Sequence, residues 1–160
     1  MKKSMRNLLV LTLAAILMLT AAACGKDNAP AMDVKATMDK LLAAAPIEDS
    51  LTLGESDMLD YYGISADAMD SFAATLCADG ITAKEIVLVK AKDEAAAKEV
   101  ETKLQNRLNA RAAEADGYVP EQYAIIKSCE VKRDGVYVRM IISPEASELV
   151  RIYTDALAGK

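Results

Sequence analysis

The chain of 160 residues carries 19 basic and 24 acidic side chains, a net charge of −5 at neutral pH, and no histidine. The negative charge disfavours binding to nucleic acid, and the missing histidine excludes both a Ser-His-Asp triad and the commonest zinc ligand. With no Trp and one Phe, Phe72, the chain also lacks a large aromatic platform for stacking on sugars.

The first 24 residues have the pattern of an export signal that ends at a cysteine. Lys2, Lys3 and Arg6 give a basic start, and residues 8–19 are almost wholly apolar but too short for a comfortable membrane span. Small residues follow in Ala21-Ala22-Ala23-Cys24, as a signal peptidase requires. We therefore expect residues 1–23 to be a signal peptide, and Cys24 to receive diacylglycerol with its fatty chains, such as palmitate.

Ala21 departs from the commonest lipoprotein signal, which has Leu three residues before the cysteine. Because Ala21-Ala22-Ala23 also fits the A-x-A rule, cleavage by the ordinary peptidase stays open, as does an uncleaved anchor. Residues 24–31 form the lipidated cysteine and a short polar tether, and residues 32–160 have the size of a single domain. The signal holds three basic and no acidic side chains, so the remainder carries a net charge of −8.

Two helices are predicted at the start of this domain. Asp33 can cap a helix that runs to about Ala45 and ends at Pro46, and Ser56 can cap a short helix over 56–62 that Gly63 stops. The first helix has one apolar stripe at helical spacing, formed by Val34, Met38, Leu41, Leu42 and Ala45.

A strand-strand-helix unit follows. Residues 70–78 and 84–91 are predicted to be strands, joined through a turn at Asp79-Gly80. Apolar residues occupy both the odd and the even positions of 86–89, which indicates that the second strand is buried on both faces. Asp93 then caps a long helix, whose apolar face comprises Ala97, Val100, Leu104 and Leu108.

The same order is predicted a second time. Residues 122–132 and 136–142 are predicted to be strands joined by a tight turn at Asp134-Gly135. Ser143-Pro144-Glu145 has the pattern of a helix start, with a cap, a proline and an acid. The apolar stripe of this last helix comprises Ala146, Leu149, Val150, Tyr153 and Leu157.

These elements predict an α+β fold. We expect a four-stranded antiparallel sheet with amphipathic helices on one face, built from two strand-strand-helix units after an N-terminal helix.

Tyrosines form two clusters beside predicted turns, and they are the candidate ligand-binding residues. Tyrosine offers apolar area and a hydroxyl, so Tyr61, Tyr62, Tyr118 and Tyr123 can line a groove for a ligand or partner. The alternative is that these tyrosines pin loops to the core.

Cys77 and Cys129 are the cysteines that remain after Cys24. They lie too far apart for a CxxC redox motif or a zinc knuckle. In an exported protein they can pair as a disulfide, and the alternative is two free, buried, small apolar side chains.

The acidic residues predict no metal site and no cofactor. Glu55, Asp57 and Asp60 lack the alternating spacing of a calcium loop, and their charges suit the start of the short helix instead. Glu85 opens a strand, and we expect it to pair with Arg139 or Lys132 across the sheet.

Four short motifs carry a resemblance to a protein family. They are Tyr61-Tyr62-Gly63-Ile64, Ala83-Lys84-Glu85-Ile86-Val87, Tyr118-x-Pro120-x-x-Tyr123 and Gly135-x-Tyr137. In this order they resemble the domain of unknown function numbered four-three-five-eight, which is typical of lipoproteins from Gram-positive anaerobes. The resemblance covers residues 32–157 and implies an envelope lipoprotein of unknown activity, with no catalytic residues to carry over.

We therefore expect a membrane-anchored lipoprotein on the extracytoplasmic face, which acts as a non-enzymatic binding or scaffolding module. Its partners are expected to be the membrane, through the lipid anchor, and an envelope protein or small ligand, but not nucleic acid. Two alternatives stay open. One is a soluble secreted binding or inhibitor protein, and the other is an envelope enzyme that uses carboxylates and tyrosines.

Overall fold

The computed structural model describes residues 31–160, which contain five helices and one five-stranded sheet. The elements in chain order are α1 (Val34–Ala44), β1 (Ser50–Thr52), α2 (Glu55–Tyr62), a 3₁₀ turn (Ala66–Ala68), β2 (Met69–Cys77), β3 (Glu85–Ala91), α3 (Glu94–Ala115), α4 (Pro120–Lys127), β4 (Val131–Asp134), β5 (Tyr137–Ile142) and α5 (Ala146–Leu157). The strand order is β1-β2-β3-β5-β4, and every neighbouring pair is antiparallel. The α+β class is therefore confirmed.

The sheet differs from the prediction in its strand number and in how it is covered. It has five strands and not four, because β1 pairs with the end of β2 through Ser50 to Thr52. Helices cover both of its faces and not one. Ile86 and Leu88 of β3 belong to a core with α1 and α5, whereas Val87 and Val89 belong to a core with α3. The two-sided burial predicted for residues 86–89 is confirmed.

Helix ends follow the capping residues seen in the sequence, except at the starts of α2 and α5. The Asp33 carboxylate accepts from the N–H of Lys35 at 2.9 Å, and Asp93 accepts from the N–H of Ala96 at 2.8 Å. Gly63 ends α2 at φ +68°, a left-handed conformation that favours glycine. At the start of α2 the cap is Gly54 and not Ser56, because the Asp57 carboxylate accepts from the Gly54 N–H at 2.7 Å.

The strand predicted over 122–132 is wrong in its first half. Pro120 instead begins α4, where its fixed φ and missing N–H suit the first helical position. The Gln122 side chain fixes this helix to the connection before β3, since its Oε1 accepts from the Ala83 N–H at 2.8 Å. Only Val131–Asp134 form the strand. The second unit therefore carries an extra helix, and the two units do not match.

The last helix begins two residues later than its signal predicts. Ser143, Pro144 and Glu145 form a turn in which the Ser143 hydroxyl donates to the Glu145 carboxylate at 2.6 Å. The Glu145 N–H donates back to the Ser143 hydroxyl oxygen at 3.2 Å, and α5 starts at Ala146. The predicted apolar stripe is confirmed, with Leu149 and Tyr153 buried against the sheet.

Alanine substitutions can test whether both faces of the sheet are covered. Leu88 and Met140 are fully buried on opposite faces, and we expect Leu88→Ala and Met140→Ala each to cost about 2–5 kcal/mol of unfolding free energy, because each leaves a cavity. Leu59, which is 54% exposed on α2, is the control, and Leu59→Ala should change stability by less than about 0.5 kcal/mol. Urea unfolding followed by circular dichroism measures all three. A small effect at either buried position contradicts the two-sided core.

Candidate functional site

A groove with a volume of about 660 Å³ runs along the edge of the sheet at β2. It begins where β1 ends, at Thr52 and Thr75, and follows β2 back to Met69. Its volume lies within the range of known ligand pockets, which is roughly 300–1,000 Å³. We call this cavity the β2 groove.

The walls of the β2 groove come from opposite faces of the sheet. On one side stand Met38, Asp39 and Leu42 of α1, which packs on the face shared with α5. The other wall comprises residues 53–55 and Ala66, and its Leu53 belongs to the core on the α3 face. The floor between these walls is the edge of β2, so the groove combines apolar side chains with strand backbone.

The backbone at the floor of the groove has no paired strand on its outer side within the described residues. The Leu53 N–H donates to the Ala74 carbonyl at 2.9 Å, and then the chain turns away at Gly54 into α2. Backbone groups of alternate residues in a strand point to the same edge, so those of Phe72 point outward like those of Ala74. A bulge between Met69 and Ser71 interrupts this alternation before Asp70. Within residues 31–160 no strand pairs with this outer side of residues 69–73.

The rim of the groove is mostly acidic. Asp39 and Glu55 are exposed there and form no ion pair within the described residues. Asp70 is paired with Lys90 at 3.2 Å, and Lys35 is the lysine among the lining residues. A ligand therefore meets two unpaired carboxylates and one ammonium group at the entrance.

A second cluster lies on the α3 face, centred on Glu85, whose side chain is 2% exposed. Arg107 of α3 holds its carboxylate with two hydrogen bonds, each 3.0 Å long, from Nε to Oε1 and from Nη2 to Oε2. The Arg111 Nε lies 3.8 Å from the second carboxylate oxygen. We call Glu85, Arg107 and Arg111 the Glu85 cluster, and it satisfies this buried charge within the protein.

The predicted pairing of Glu85 with Arg139 or Lys132 is wrong because the side chains point to opposite faces. Glu85 shares its face with Val87 and α3, whereas Arg139 lies opposite Leu88 on the α5 face. There the Arg139 Nη2 donates to Glu130 at 3.0 Å, and its guanidinium lies 5.5 Å from the centre of the Tyr153 ring.

Tyr61 and Tyr62 come together with the Glu85 cluster. Their ring centres are 6.3 Å apart, and the Arg107 guanidinium lies 6.0 Å from the first ring and 5.8 Å from the second. Tyr61 is exposed, whereas Tyr62 is buried. Burial and the nearby negative charge of Glu85 raise the pKa of Tyr62, so its hydroxyl stays protonated. This pair therefore joins α2 to α3.

The other two predicted tyrosines lie elsewhere. Tyr118 is 84% exposed and lines a small cavity of about 80 Å³ with Ile81 and Arg111. Tyr123 is half-buried and packs against the core on the α3 face. None of the four predicted tyrosines lines the β2 groove, so the structure does not gather them into one site there.

Cys77 and Cys129 are free thiols, so the disulfide alternative is not present in the structure. Cys129 packs against the core on the α3 face and donates to the Ile125 carbonyl at 3.2 Å. Cys77 packs against the core on the other face, and its thiol donates to the Glu48 carbonyl at 3.4 Å. The sheet lies between the two cysteines. Cys24, the predicted lipidation site, lies outside the described residues.

Over residues 31–160, no group of three or more Cys, Asp or Glu residues is placed to hold a metal ion. No helix in this part of the chain has the length and hydropathy to cross a membrane.

Comparison with known proteins identifies the family. A family model described as a domain of unknown function (DUF4358) matches residues 43–143, more than half of the chain. The chain belongs to the DUF4358 family. No curated protein and no solved structure matches the sequence significantly. All four motifs that carried the resemblance lie inside the matched part of this DUF4358 domain, and Tyr61, Tyr62 and Glu85 from two of them meet at Arg107.

Sequence reasoning missed the residues of the β2 groove in this DUF4358 domain. The groove exists because β1 stops after three residues, and a strand of that length carries little periodic signal. The available signal was Gly54, followed three positions later by Asp57, which marks a helix start directly after a short alternating segment.

The role of the Glu85 cluster in folding can be tested by removing one partner. Arg107→Ala leaves the buried Glu85 carboxylate without its two short hydrogen bonds, and we expect a loss of about 3–5 kcal/mol of unfolding free energy. Arg151→Ala is the control, because the Arg151–Asp155 pair is exposed and should contribute at most about 1 kcal/mol. Urea unfolding of both variants gives the comparison. Equal losses for the two variants contradict a structural role for the buried pair.

Proposed function

We propose that this DUF4358 protein is a lipid-anchored binding module on the extracytoplasmic face of the cell membrane. Cys24 carries the anchor, residues 25–31 are the tether, and the domain presents the β2 groove to a ligand or partner in the envelope. The proposal rests on the groove of about 660 Å³, which combines an open strand edge with apolar walls.

The state of the candidate catalytic groups favours binding over catalysis. The buried Glu85 carboxylate is engaged by Arg107 through both oxygens, which leaves it poorly placed to transfer protons. The raised pKa of Tyr62 keeps its hydroxyl neutral, so it is a poor nucleophile. The chain also contains no histidine. These features support a module that holds a partner without transforming it.

The anchor can be tested by replacing the lipidated cysteine. We expect the unaltered protein to fractionate with membranes and Cys24→Ser to appear in the medium, since Ala21-Ala22-Ala23 still offers a site to the ordinary peptidase. Cys77→Ser removes a cysteine without touching the signal, and it should stay in the membrane fraction. Mass spectrometry of the mature N-terminus should find a diacylglyceryl group on Cys24. A free amine on unmodified Cys24, or a Cys24→Ser variant that stays with membranes, contradicts the anchor.

Binding in the groove can be tested by crosslinking in intact cells. A benzophenone amino acid in place of Ala66 lies on the groove wall, and one in place of Asp60 is an exposed control on α2 outside the groove. We expect light-dependent adducts from position 66 that position 60 does not give, because only the first contacts the bound partner. The same set of adducts from both positions, or none from position 66, counts against the groove as the binding site.

A further inference from the structure

We propose that the β2 groove binds one extended polypeptide segment, which adds as a strand to the open edge of β2 and carries a lysine or arginine toward the acidic rim. This inference rests on the proposed binding function and names the class of ligand. It is supported in three steps by the backbone of β2, the walls of the groove and the charge at its entrance.

The first step is the unused hydrogen-bonding capacity of β2. Thr52 pairs with Thr75, and the Leu53 N–H reaches the Ala74 carbonyl, so β1 follows the edge of β2 up to that point. Beyond it the outward N–H and C=O groups of Phe72 face the groove without a strand partner in the described chain. Only another extended backbone matches the spacing of these groups, which is the basis of peptide binding by strand addition.

The open stretch sets the length of the segment. Its regular part covers residues 71–73, because a bulge interrupts β2 between Met69 and Ser71, and at about 3.3 Å per residue this corresponds to a strand of about three residues, roughly 10 Å long. The added strand lies in line with β1 and continues the sheet past the point where β1 leaves it.

The second step is the shape of the groove, which selects a single strand over a second copy of this domain. The edge of β2 lies between α1 on one side and residues 53–55 with Ala66 on the other. In a second copy the same walls flank the same edge, so pairing of the two edges would bring the walls of one copy against those of the other. An isolated strand can enter, and its alternate side chains then contact Met38 and Leu42 on one side and Leu53 on the other.

The third step is the charge at the entrance. Asp39 and Glu55 are exposed at the rim without ion-pair partners in the described residues, whereas Asp70 is already paired with Lys90. The apolar walls favour small or medium apolar side chains along the strand. The two unpaired carboxylates outnumber the single Lys35 ammonium group, so they favour a cation at the end of the strand and the preferred segment is apolar with a basic flank.

Synthetic peptides test the three steps separately. The probe is the peptide acetyl-Lys-Val-Ala-Val-Ala-Val-Lys-amide, titrated into the full chain carrying Cys24→Ser and labelled with ¹⁵N. One comparison peptide has Glu in place of both Lys residues, and another is N-methylated at its three central residues. We expect the lysine peptide to shift the amide signal of Phe72 and to slow its hydrogen exchange, because that N–H gains a partner.

The comparison peptides should bind more weakly for different reasons. N-methylation removes the backbone donors, and we expect at least about a tenfold loss of affinity. Replacing Lys by Glu should cost about threefold or more. Asp39→Lys should weaken binding of the lysine peptide by about threefold, whereas Asp60→Lys, the same change outside the groove, should leave its affinity unchanged.

Failure of this inference is distinguishable from failure of the proposed function. No binding of the lysine peptide at millimolar concentration, or equal binding of its N-methylated form, overturns strand addition. If crosslinks still form specifically at position 66 in that case, the groove binds another class of ligand and the proposed function stands. If neither the peptide nor the crosslinker detects an occupant, both proposals are wrong.

Discussion

Burial of β3 on both faces is the constraint on which the rest of the structure depends. Ile86 and Leu88 point toward α1 and α5, while Val87 and Val89 point toward α3, and all four are almost fully buried. A strand with no solvent-exposed face has to lie in the middle of the sheet and needs a helical layer on each side. The two-layer cover in turn places α1 beside one face of the neighbouring β2 and residues 53–55 beside the other, and these are the walls of the β2 groove.

Local signals in the sequence predicted most single elements, because each depends on neighbours in the chain. Asp33, Asp93 and Gly63 marked helix ends where the structure has them. The strand prediction over 122–132 was wrong because the apolar residues there fit a strand as well as a helix. Pro120, which suits the first position of a helix, was the signal that favours the helix. The prediction that helices cover one face of the sheet was wrong for a different reason. Apolar residues at both odd and even positions of 86–89 already require a helical layer on each face, whereas the predicted fold placed all helices on one.

The candidate sites were less predictable, because they depend on contacts between distant segments. Glu85 was recognised as a strand-opening acid, but its partner Arg107 lies 22 residues away on a helix whose rotation the sequence does not fix. The tyrosine pair Tyr61-Tyr62 was recognised as well, and its contact is that same arginine. The β2 groove results from a strand that ends early, and its local trace in the sequence is the helix start that Gly54 and Asp57 mark directly after β1.

The walls beside the open edge of β2 also oppose its pairing with the same edge of a second copy. Exposed strand edges pair readily with other chains, and many proteins cover them or place charges there. Here α1 and residues 53–55 stand on either side of the open stretch, and Asp39 and Glu55 add like charges that repel a second copy. The walls exclude a folded sheet edge but admit a single strand. The walls and charges that oppose pairing of two edges would therefore also select a single strand, as the proposed strand addition requires.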